Sequence, residues 1–415
     1  MVGIFKTIQE CRICHSKNVD HLLDLGDQPP ANSLRPALDE QLPMVPLRLG
    51  RCGDCGVVLI DADVDPAYLF SHYVWVTGTS STAKTYAETF CERFLERAGQ
   101  KPQKVFEVAS NDGTFLKPFV KRGSEVCGFD PAQNIAEMAE EDGVATECVF
   151  FNRDTAQDLL KSQGQGDIIF ARNVLPHVPD PVSVLAGMAT LLKADGMGAI
   201  EFHYSGTILE ELHYDSVYHE HFHYFSIKNL MDMLQNLGLH PFDIAESPIS
   251  GGSKVLYFAK SQRPQTAALQ QAIKLENQSG VNSLAAWQEF AKRAEQHRQD
   301  LVGLVSEVQK QGKTVVGYGA SARSSTLLNF CQLDGKVIET IADKNELKHH
   351  KFTPGSDIPI EPPAKVLAEK PDVVVLLAWN FQKEIIGELR HDYGFTGEVV
   401  VPFPGTPKII GVDAP

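Results

Sequence analysis

Two C-x-x-C pairs, Cys11–Cys14 and Cys52–Cys55, constrain how the first part of this chain can fold. Each C-x-x-C turn presents two thiolates on one side of the backbone, and two such turns can surround one Zn²⁺ tetrahedrally. Because four protein ligands fill the coordination shell, we expect a structural zinc ion. A redox or catalytic metal, or no metal at all, are the alternatives.

Composition and charge narrow the class of protein. A chain of 415 residues exceeds one ordinary core, so two or three domains are expected. The net charge of −15 disfavours a nucleic-acid partner, since phosphate neutralisation needs clustered Lys and Arg. We find neither a run of about 18 apolar residues for a membrane span nor a secretory signal. With four of the eight cysteines scattered, we expect a cytoplasmic protein without disulfides, and a monomer by default.

The sequence from residue 104 to 116 is typical of the first strand, turn and helix of a doubly wound sheet. Ala109 and Asn111 replace two of the three usual turn glycines, while Gly113 is retained. Asn tolerates left-handed backbone well, so the turn can survive these replacements. Asp130 ends the next predicted strand, where a carboxylate can accept hydrogen bonds from ribose hydroxyls.

Acidic side chains in this turn indicate the charge of its ligand. Glu107 and Asp112 would repel a pyrophosphate, so the turn suits a cationic or uncharged ligand such as S-adenosylmethionine (SAM) better than NAD. Further strands are predicted at 167–173 and 198–204. A last strand at 253–258, after two glycines, has the pattern of an edge hairpin strand.

Residues 218–226, which we call the histidine-rich segment, combine three histidines and a glutamate with four aromatic residues. A histidine is a general acid or base near neutral pH, and a neighbouring carboxylate or phenol can tune it. The segment follows the strand that carries Glu201 and precedes the last strand, so it should lie at the cofactor end of the sheet. An aromatic surface helix or turn is the alternative interpretation.

An aromatic, hydroxyl-rich stretch at 70–80 separates the cysteine pairs from the central strands. It is either a linker packed against the next domain or a lid that donates Tyr73 to an active site.

The C-terminal part repeats the strand, glycine turn and helix pattern. The stretch 314–324 contains a G-x-G turn followed by Ser321 and Arg323, with no acid in the turn, so it favours anions at a helix N-terminus. A basic run at 344–351, ending in Lys351, is either a solvated loop or a contact to a diphosphate. The preceding residues 264–310 have a helical composition. Buried strands are predicted at 337–343, 373–380 and 399–403.

These motifs occur in one order along nearly the whole chain, and that order resembles the SAM-dependent sugar C-methyltransferases. Besides the cysteine pairs and the Y-H-E-H cluster, it includes E-x-x-S-N-D-G, N-x-L-x-H-V-P and G-Y-G-A-S-A-R. The family is typified by 3-C-methyltransferases of nucleotide-linked 4-keto-deoxysugars. The resemblance implies an α/β protein with two Rossmann-like, doubly wound domains preceded by a small zinc-binding domain. The expected boundaries are 1–80 for the zinc-binding domain and linker, 81–262 for the SAM-binding domain, and 263–415 for the domain that holds the nucleotide sugar.

The resemblance also implies roles for individual residues. The base that removes a proton next to the sugar ketone would be His221, with Tyr218 near the keto oxygen. The remaining catalytic candidates assist or lie near the sugar: Glu220, His177 and Tyr73. SAM would be lined by Glu107, Ala109, Asn111, Gly113, Asp130 and Asn173. The diphosphate would face Ser321, Arg323 and Lys351, and the structural Zn²⁺ would be held by Cys11, Cys14, Cys52 and Cys55.

Two other functions remain open from the sequence. A nicotinamide-dependent oxidoreductase acting on a nucleotide sugar would use one of the glycine turns, with Asp343 as its ribose acid, but the central turn is too acidic for it. A non-catalytic zinc-ribbon interaction protein would show basic stretches near the cysteine pairs, which the net charge disfavours.

Overall fold

The computed structural model describes residues 4–70, 76–99, 101–249 and 251–411. These residues form two seven-stranded sheets, one four-stranded sheet and one two-stranded sheet. The predicted α/β class with Rossmann-like sheets is therefore confirmed. In the described ranges, none of the helices combines the length and the apolar character that crossing a bilayer requires.

The amino-terminal part consists mainly of short antiparallel strands. Its elements are β1 (Phe5–Thr7), β2 (Val19–Gln28), β3 (Val45–Cys52), β4 (Val58–Ile60), β5 (Ala62–Val64) and α1 (Pro66–Phe70). In β3 the side chains of Val45, Leu47 and Leu49 are buried and alternate with the less buried Pro46 and Arg48. This period of two is the pattern of a strand with one face on the core.

The central sheet has the strand order β12-β13-β10-β9-β6-β7-β8. The elements of this region are α2 (Ser81–Ala98), β6 (Lys104–Val108), α3 (Lys117–Lys121), β7 (Glu125–Asp130), α4 (Gln133–Glu141), β8 (Thr146–Cys148), α5 (Arg153–Gln163), β9 (Gly166–Arg172), α6 (Pro181–Leu191), β10 (Leu192–His203), α7 (Ser205–Glu211), β11 (His223–Tyr224), α8 (Ile227–Asn236), β12 (His240–Glu246) and β13 (Ser253–Ala259). Strands β10, β9, β6, β7 and β8 are parallel, so their carboxyl ends share one edge.

The prediction of an edge strand at 253–258 is wrong in its position. Strand β13 lies between β10 and β12, is antiparallel to both, and leaves β12 at the edge. Residues 255–259 are fully buried, because side chains on both faces of an internal strand are covered. The hairpin itself was predicted correctly.

The C-terminal sheet has the order β16-β17-β15-β14-β18-β19-β20. Its elements are α9 (Ala267–Ser279), α10 (Leu284–Lys310), β14 (Val315–Tyr318), α11 (Ala322–Cys331), β15 (Ile341–Ala342), β16 (Lys351–Phe352), β17 (Pro359–Glu361), α12 (Pro363–Ala368), β18 (Val373–Leu376), α13 (Gln382–His391), β19 (Glu398–Val401) and β20 (Lys408–Ile410). The strand predicted at 337–343 is reduced to two residues, because Val337 and Ile338 donate their N–H groups to Asp334 O and close a turn instead.

One apolar core joins the amino-terminal and C-terminal parts. It runs continuously from Leu49 and Ile60 through Trp287 of α10 to Val315 and Phe403. Trp287 is only 1% exposed, and its indole N–H donates to Val281 O at 2.7 Å. The two ends of the chain are therefore packed together rather than tethered by linkers.

We expect Trp287→Ala to lower the free energy of unfolding by about 3–5 kcal/mol, because it leaves a large cavity in this shared core. Urea unfolding of the full chain measures the change. Lys292→Ala is the matched control, since its side chain is 76% exposed on the same helix. Equal stability of the two variants would contradict the shared core.

Candidate active site and metal centre

Three residues with left-handed backbone shape the turn after β6. They alternate with ordinary residues, at φ values of 53° for Ala109, 51° for Asn111 and 71° for Gly113. Left-handed backbone is the conformation that glycine adopts without cost, so these are the positions where glycines are usual. The structure therefore confirms the prediction that the turn keeps its shape although Ala109 and Asn111 replace two glycines.

The segment that leads into α2 closes over this turn. Thr77 N–H donates to Asn111 Oδ1 at 2.8 Å, and Gly78 N–H donates to Asp112 Oδ2 at 2.9 Å. Tyr73 lies outside the described residues, so its predicted role stays a prediction.

Asp130, at the end of β7, holds the turn from the other side. Its Oδ2 accepts the N–H of Asn111 at 2.9 Å, and its Oδ1 accepts the N–H of Ala132 at 3.0 Å. The carboxylate therefore supports the backbone of the turn. Contact with a ribose stays a prediction.

A buried acid beneath the turn fits a cationic cofactor. Glu107 is 2% exposed, and its Oε2 atom has no hydrogen-bond partner among the residues that the structure describes. Burial raises the pKa of Glu107 well above its usual value, and the neighbouring Asp112 and Asp130 add to the effect. Carboxylates gathered in this way attract positive charge, so these residues fit SAM, whose sulfonium is cationic.

Asn173 follows β9 and is fixed by Glu201 of β10. Its backbone N–H donates to Glu201 O at 2.7 Å, and its side-chain amide donates to Glu201 Oε1 at 3.1 Å. Arg172 completes the group with a buried ion pair, with 2.8 Å from its Nε to Glu201 Oε2. Asn173 thereby lies at the same sheet edge as the turn after β6, since β9 and β6 are adjacent parallel strands.

Hydrogen bonds fix the tautomer of His221. Its Nδ1 lies 3.0 Å from Ser216 O, a carbonyl that can only accept, so Nδ1 carries the proton. Its Nε2 lies 2.8 Å from the hydroxyl of Tyr218, which therefore donates to it. Burial lowers the pKa of His221 well below its usual value, and the nearby His177 lowers it further. The imidazole is thus neutral, with a basic nitrogen on the Tyr218 side.

His177 and Glu220 are adjacent to this pair. The ring centroids of His177 and His221 are 4.6 Å apart, and burial lowers the pKa of His177 to about 4. Glu220 is 3% exposed, and its Oε1 accepts a hydrogen bond of 2.6 Å from Asn32 Nδ2. Burial raises the pKa of Glu220 to about 7, and the bond from Asn32 opposes that rise. The structure therefore brings Tyr218, Glu220, His221 and His177 together.

The histidine-rich segment is held by the amino-terminal domain. Strand β11, which the sequence reasoning missed, pairs with β4 and becomes the edge strand of the four-stranded sheet. His219 Nε2 lies 3.2 Å from both Val45 O and Pro46 O of β3. Seven of its nine residues are buried and Tyr218 and His221 are half-buried, so the interpretation as a surface segment is wrong, although residues 219–220 do form a turn.

Arg323 is engaged by an acid that the local sequence does not reveal. Its Nε and Nη2 donate to the two oxygens of Asp215, at 3.0 and 2.8 Å, and Trp379 Nε1–H donates to the same carboxylate at 2.8 Å. Ser321 caps α11, with its hydroxyl accepting from Ser324 N–H at 3.2 Å. Contact of Ser321 and Arg323 with a diphosphate stays a prediction.

A second carboxylate lies against the C-terminal glycine turn. Asp343 Oδ2 accepts the N–H of Ala320 at 2.7 Å, and Lys348 Nζ bonds both Ala320 O at 2.7 Å and Asp343 Oδ2 at 3.3 Å. The expectation of a turn without acids is therefore wrong for the folded chain. Lys351 lies on β16, which β17 and β15 separate from β14, the strand that carries the turn, whereas Lys348 of the same basic run reaches the turn.

The four predicted zinc ligands converge. All four Sγ atoms lie within 4.8 Å of one another, with 3.6 Å between Cys11 and Cys55 and 3.5 Å between Cys14 and Cys52. Thiolates about 2.3 Å from a tetrahedral Zn²⁺ would be about 3.8 Å apart. The hydrogen bond from Cys55 lowers the pKa of Cys11 to about 5, which favours the thiolate that a metal needs. The donor set therefore fits a closed, structural zinc site.

Family models match three successive parts of the chain. A zinc binding domain matches residues 11–70, a methyltransferase domain matches 83–242, and a C-methyltransferase C-terminal domain matches 248–404. The C-methyltransferase NovU of Streptomyces niveus is 31% identical over 419 aligned residues, which cover 100% of each chain. These matches show that the chain is a SAM-dependent methyltransferase with a zinc-binding domain.

Other relatives match the central part. The ubiquinone biosynthesis O-methyltransferase of Acinetobacter baylyi is 31% identical over 103 residues, or 24% of this chain and 42% of its own length. The crystal structure of magnesium protoporphyrin IX methyltransferase from Synechocystis, with bound SAH, covers 43% of this chain and 84% of its own at 15% identity, with a TM-score of 0.35.

We expect Cys52→Ser to lose zinc and to lower the free energy of unfolding by about 4 kcal/mol or more, because metal binding contributes directly to folding. Metal analysis and thermal unfolding measure the two effects. Cys148→Ser, at an exposed thiol of β8, should change neither. Full zinc content and stability in Cys52→Ser would contradict a structural site.

Proposed function

Because the chain belongs to the C-methyltransferase family of NovU, we propose that it methylates C3 of a nucleoside-diphosphate-linked 4-keto-6-deoxyhexose in deoxysugar biosynthesis. The observation that carries the proposal is the half-buried pair of Tyr218 and His221, at 2.8 Å, on the carboxyl-edge side of the methyltransferase sheet. Carbon methylation next to a ketone needs a base for the carbon acid and a donor for the enolate oxygen, and this pair offers both.

His221 acts as the base in this proposal. Its Nδ1–H is fixed on Ser216 O, so the proton of the sugar carbon can only go to Nε2. Burial keeps the imidazole neutral and hence able to accept a proton at physiological pH. The lone pair of Nε2 is occupied by the Tyr218 hydroxyl, so a bound sugar has to displace that hydroxyl to react.

Tyr218 then donates a hydrogen bond to the keto oxygen. A hydroxyl displaced from Nε2 is free to turn its proton toward the oxygen that gains charge as the C–H bond breaks. The enolate carbon forms the new C–C bond, for which SAM supplies an electrophilic methyl group bound to sulfonium. Glu220 and His177 adjoin this pair and would orient the sugar.

Charge separates the two ligand sites in the proposal. The region around Glu107 gathers carboxylates and suits the sulfonium, with Ala109, Asn111, Gly113, Asp130 and Asn173 along the same edge. The N-terminus of α11 carries Ser321 and Arg323 and suits the anionic diphosphate, with Lys351 farther along the sheet edge. The proposal thus assigns residues 1–80 to zinc, 81–262 to methyl transfer and 263–415 to the nucleotide sugar.

Calorimetric titration of the zinc-replete protein with SAM and with NAD(H) tests the cofactor. We expect micromolar binding of SAM and none of NAD(H), because the turn after β6 is acidic. A panel of 4-keto nucleotide sugars with SAM then tests the substrate, with the new methyl carbon located by NMR. Binding of NAD(H) without SAM would refute the proposal, as would transfer of the methyl group to oxygen.

His221→Ala should lower methyl transfer by about 10²–10⁴-fold while SAM affinity is retained, because the variant removes a general base. Exchange of the sugar C3 proton for deuterium, followed by NMR, measures proton removal separately from methyl transfer. His391→Ala, at an exposed histidine of α13, is the control and should exchange normally. Normal exchange in His221→Ala would assign the base to another residue.

A further inference from the structure

Residues 29–35, which we call the bridging loop, connect three parts of the molecule. The loop leaves β2 of the amino-terminal sheet with Pro29, Pro30 and Ala31 buried. At its far end Arg35 forms a bridge with Phe352 of the C-terminal sheet: Arg35 N–H donates to Phe352 O at 3.3 Å, and Phe352 N–H donates to Arg35 O at 2.8 Å. The Arg35 guanidinium also pairs with Asp357.

Between Ala31 and Arg35 of the bridging loop, Asn32 contacts Glu220 of the candidate active site. Its side-chain amide donates to Glu220 Oε1 at 2.6 Å, across 188 positions of sequence. Glu220 is buried and adjoins His221 in the chain, while its backbone carbonyl is bonded by His177. A residue of the zinc-binding domain thus touches the acid of the proposed active site.

The groups near Glu220 determine how much its carboxylate depends on the hydrogen bond from Asn32. The titratable side chains around it are His177 from the turn after β9 and the flanking His219 and His221. Burial keeps all three imidazoles neutral by lowering their pKa values. A buried carboxylate that is not paired with a cation depends on neutral donors. Among the residues that the structure describes, the hydrogen bond to the Glu220 side chain comes from Asn32.

We propose that Asn32 is a positioning residue, whose amide fixes the carboxylate of Glu220, the residue that precedes His221 in the chain. Because the bridging loop is attached to both the amino-terminal sheet and the C-terminal sheet, the contact between Asn32 and Glu220 depends on how these two parts pack together. The inference rests on the proposed function, since it needs the cluster around His221 to be the active site.

The pH dependence follows from the direction of the pKa shifts. Burial raises the pKa of Glu220 to about 7, and the bond from Asn32 works against that rise. Without Asn32 the pKa of Glu220 rises further, so a smaller fraction is ionised at neutral pH. A rate that needs the carboxylate then falls at neutral pH and recovers as the pH is raised.

Asn32→Ala should therefore lower kcat at pH 7 by about 10–100-fold, as expected for a hydrogen bond to a charged group. The affinity for SAM should stay within about two-fold, because the SAM residues are not touched. The acid limb of the kcat profile should move to higher pH. Asn32→Asp keeps the shape of the side chain but sets a second carboxylate against Glu220. It should therefore move the acid limb of the kcat profile to still higher pH. This variant replaces Asn32→Ala in the test if Asn32→Ala does not fold.

Ser33→Ala is the matched control. Ser33 lies on the same loop, and its hydroxyl is 3.3 Å from the Tyr68 hydroxyl rather than at Glu220. It should keep the wild-type rate and pH profile. A shift equal to that of Asn32→Ala would mean that the loop, and not its amide, is responsible, and would overturn the proposal.

Titration of Glu220 by NMR separates this inference from the proposed function. With ¹³C-labelled glutamate, the Glu220 signal is the one absent from Glu220→Gln, and its midpoint is compared in wild type and Asn32→Ala. An upward shift supports the contact even if no 4-keto nucleotide sugar is methylated, in which case only the proposed function fails. An unchanged midpoint together with unchanged kcat in an active enzyme overturns the role of Asn32.

Discussion

The architecture depends on where the buried histidine-rich segment finds partners for its backbone. Buried N–H and C=O groups need hydrogen bonds, and a segment inserted between two strands of the central sheet cannot find all of them there. Phe222 N–H bonds Pro176 O at 2.7 Å, Ile60 N–H bonds Phe222 O at 3.2 Å, and β11 completes the amino-terminal sheet against β4. The zinc-binding domain therefore contacts the candidate site through β4, and its core is continuous with the C-terminal core.

Burial also sets the chemistry of the site. Imidazoles taken out of water lose their charged form, so burial is the main cause of the lowered pKa values of His177, His219 and His221, and for His221 the nearby His177 and Arg323 add to it. The same burial raises the pKa of Glu220. Burial thereby reverses the usual order of the two groups, since the pKa of Glu220 is about 7 and that of His177 is about 4.

Local patterns in the sequence were sufficient to predict part of the fold and part of the candidate site. The spacing of four cysteines predicted the metal centre, and the small residues at 109–113 predicted the left-handed turn, because both depend on near neighbours in the chain. Contacts between distant segments have no local signal. Asp215 on Arg323 is 108 positions away and Asn32 on Glu220 is 188, and neither could be inferred from the residues beside them. A basic run likewise does not reveal which of its lysines reaches a turn: Lys348 bonds Ala320 O at 2.7 Å, while contact of Lys351 with a diphosphate stays a prediction.

The two Rossmann-like turns are built in the same way and differ in their charge balance. In each, an aspartate at the end of the second strand accepts a backbone N–H of the turn, Asp130 at 2.9 Å and Asp343 at 2.7 Å. Lys348 offsets the charge of Asp343, whereas near the first turn Arg172 works against the raised pKa of Glu107 but is itself paired with Glu201. Asp215 then links the second turn to His221: it accepts from Arg323 of α11, and the carbonyl of the next residue, Ser216, accepts the Nδ1–H that fixes the tautomer of His221. The unprotonated nitrogen of His221 is thus set by a backbone that Arg323 of the C-terminal part holds in place.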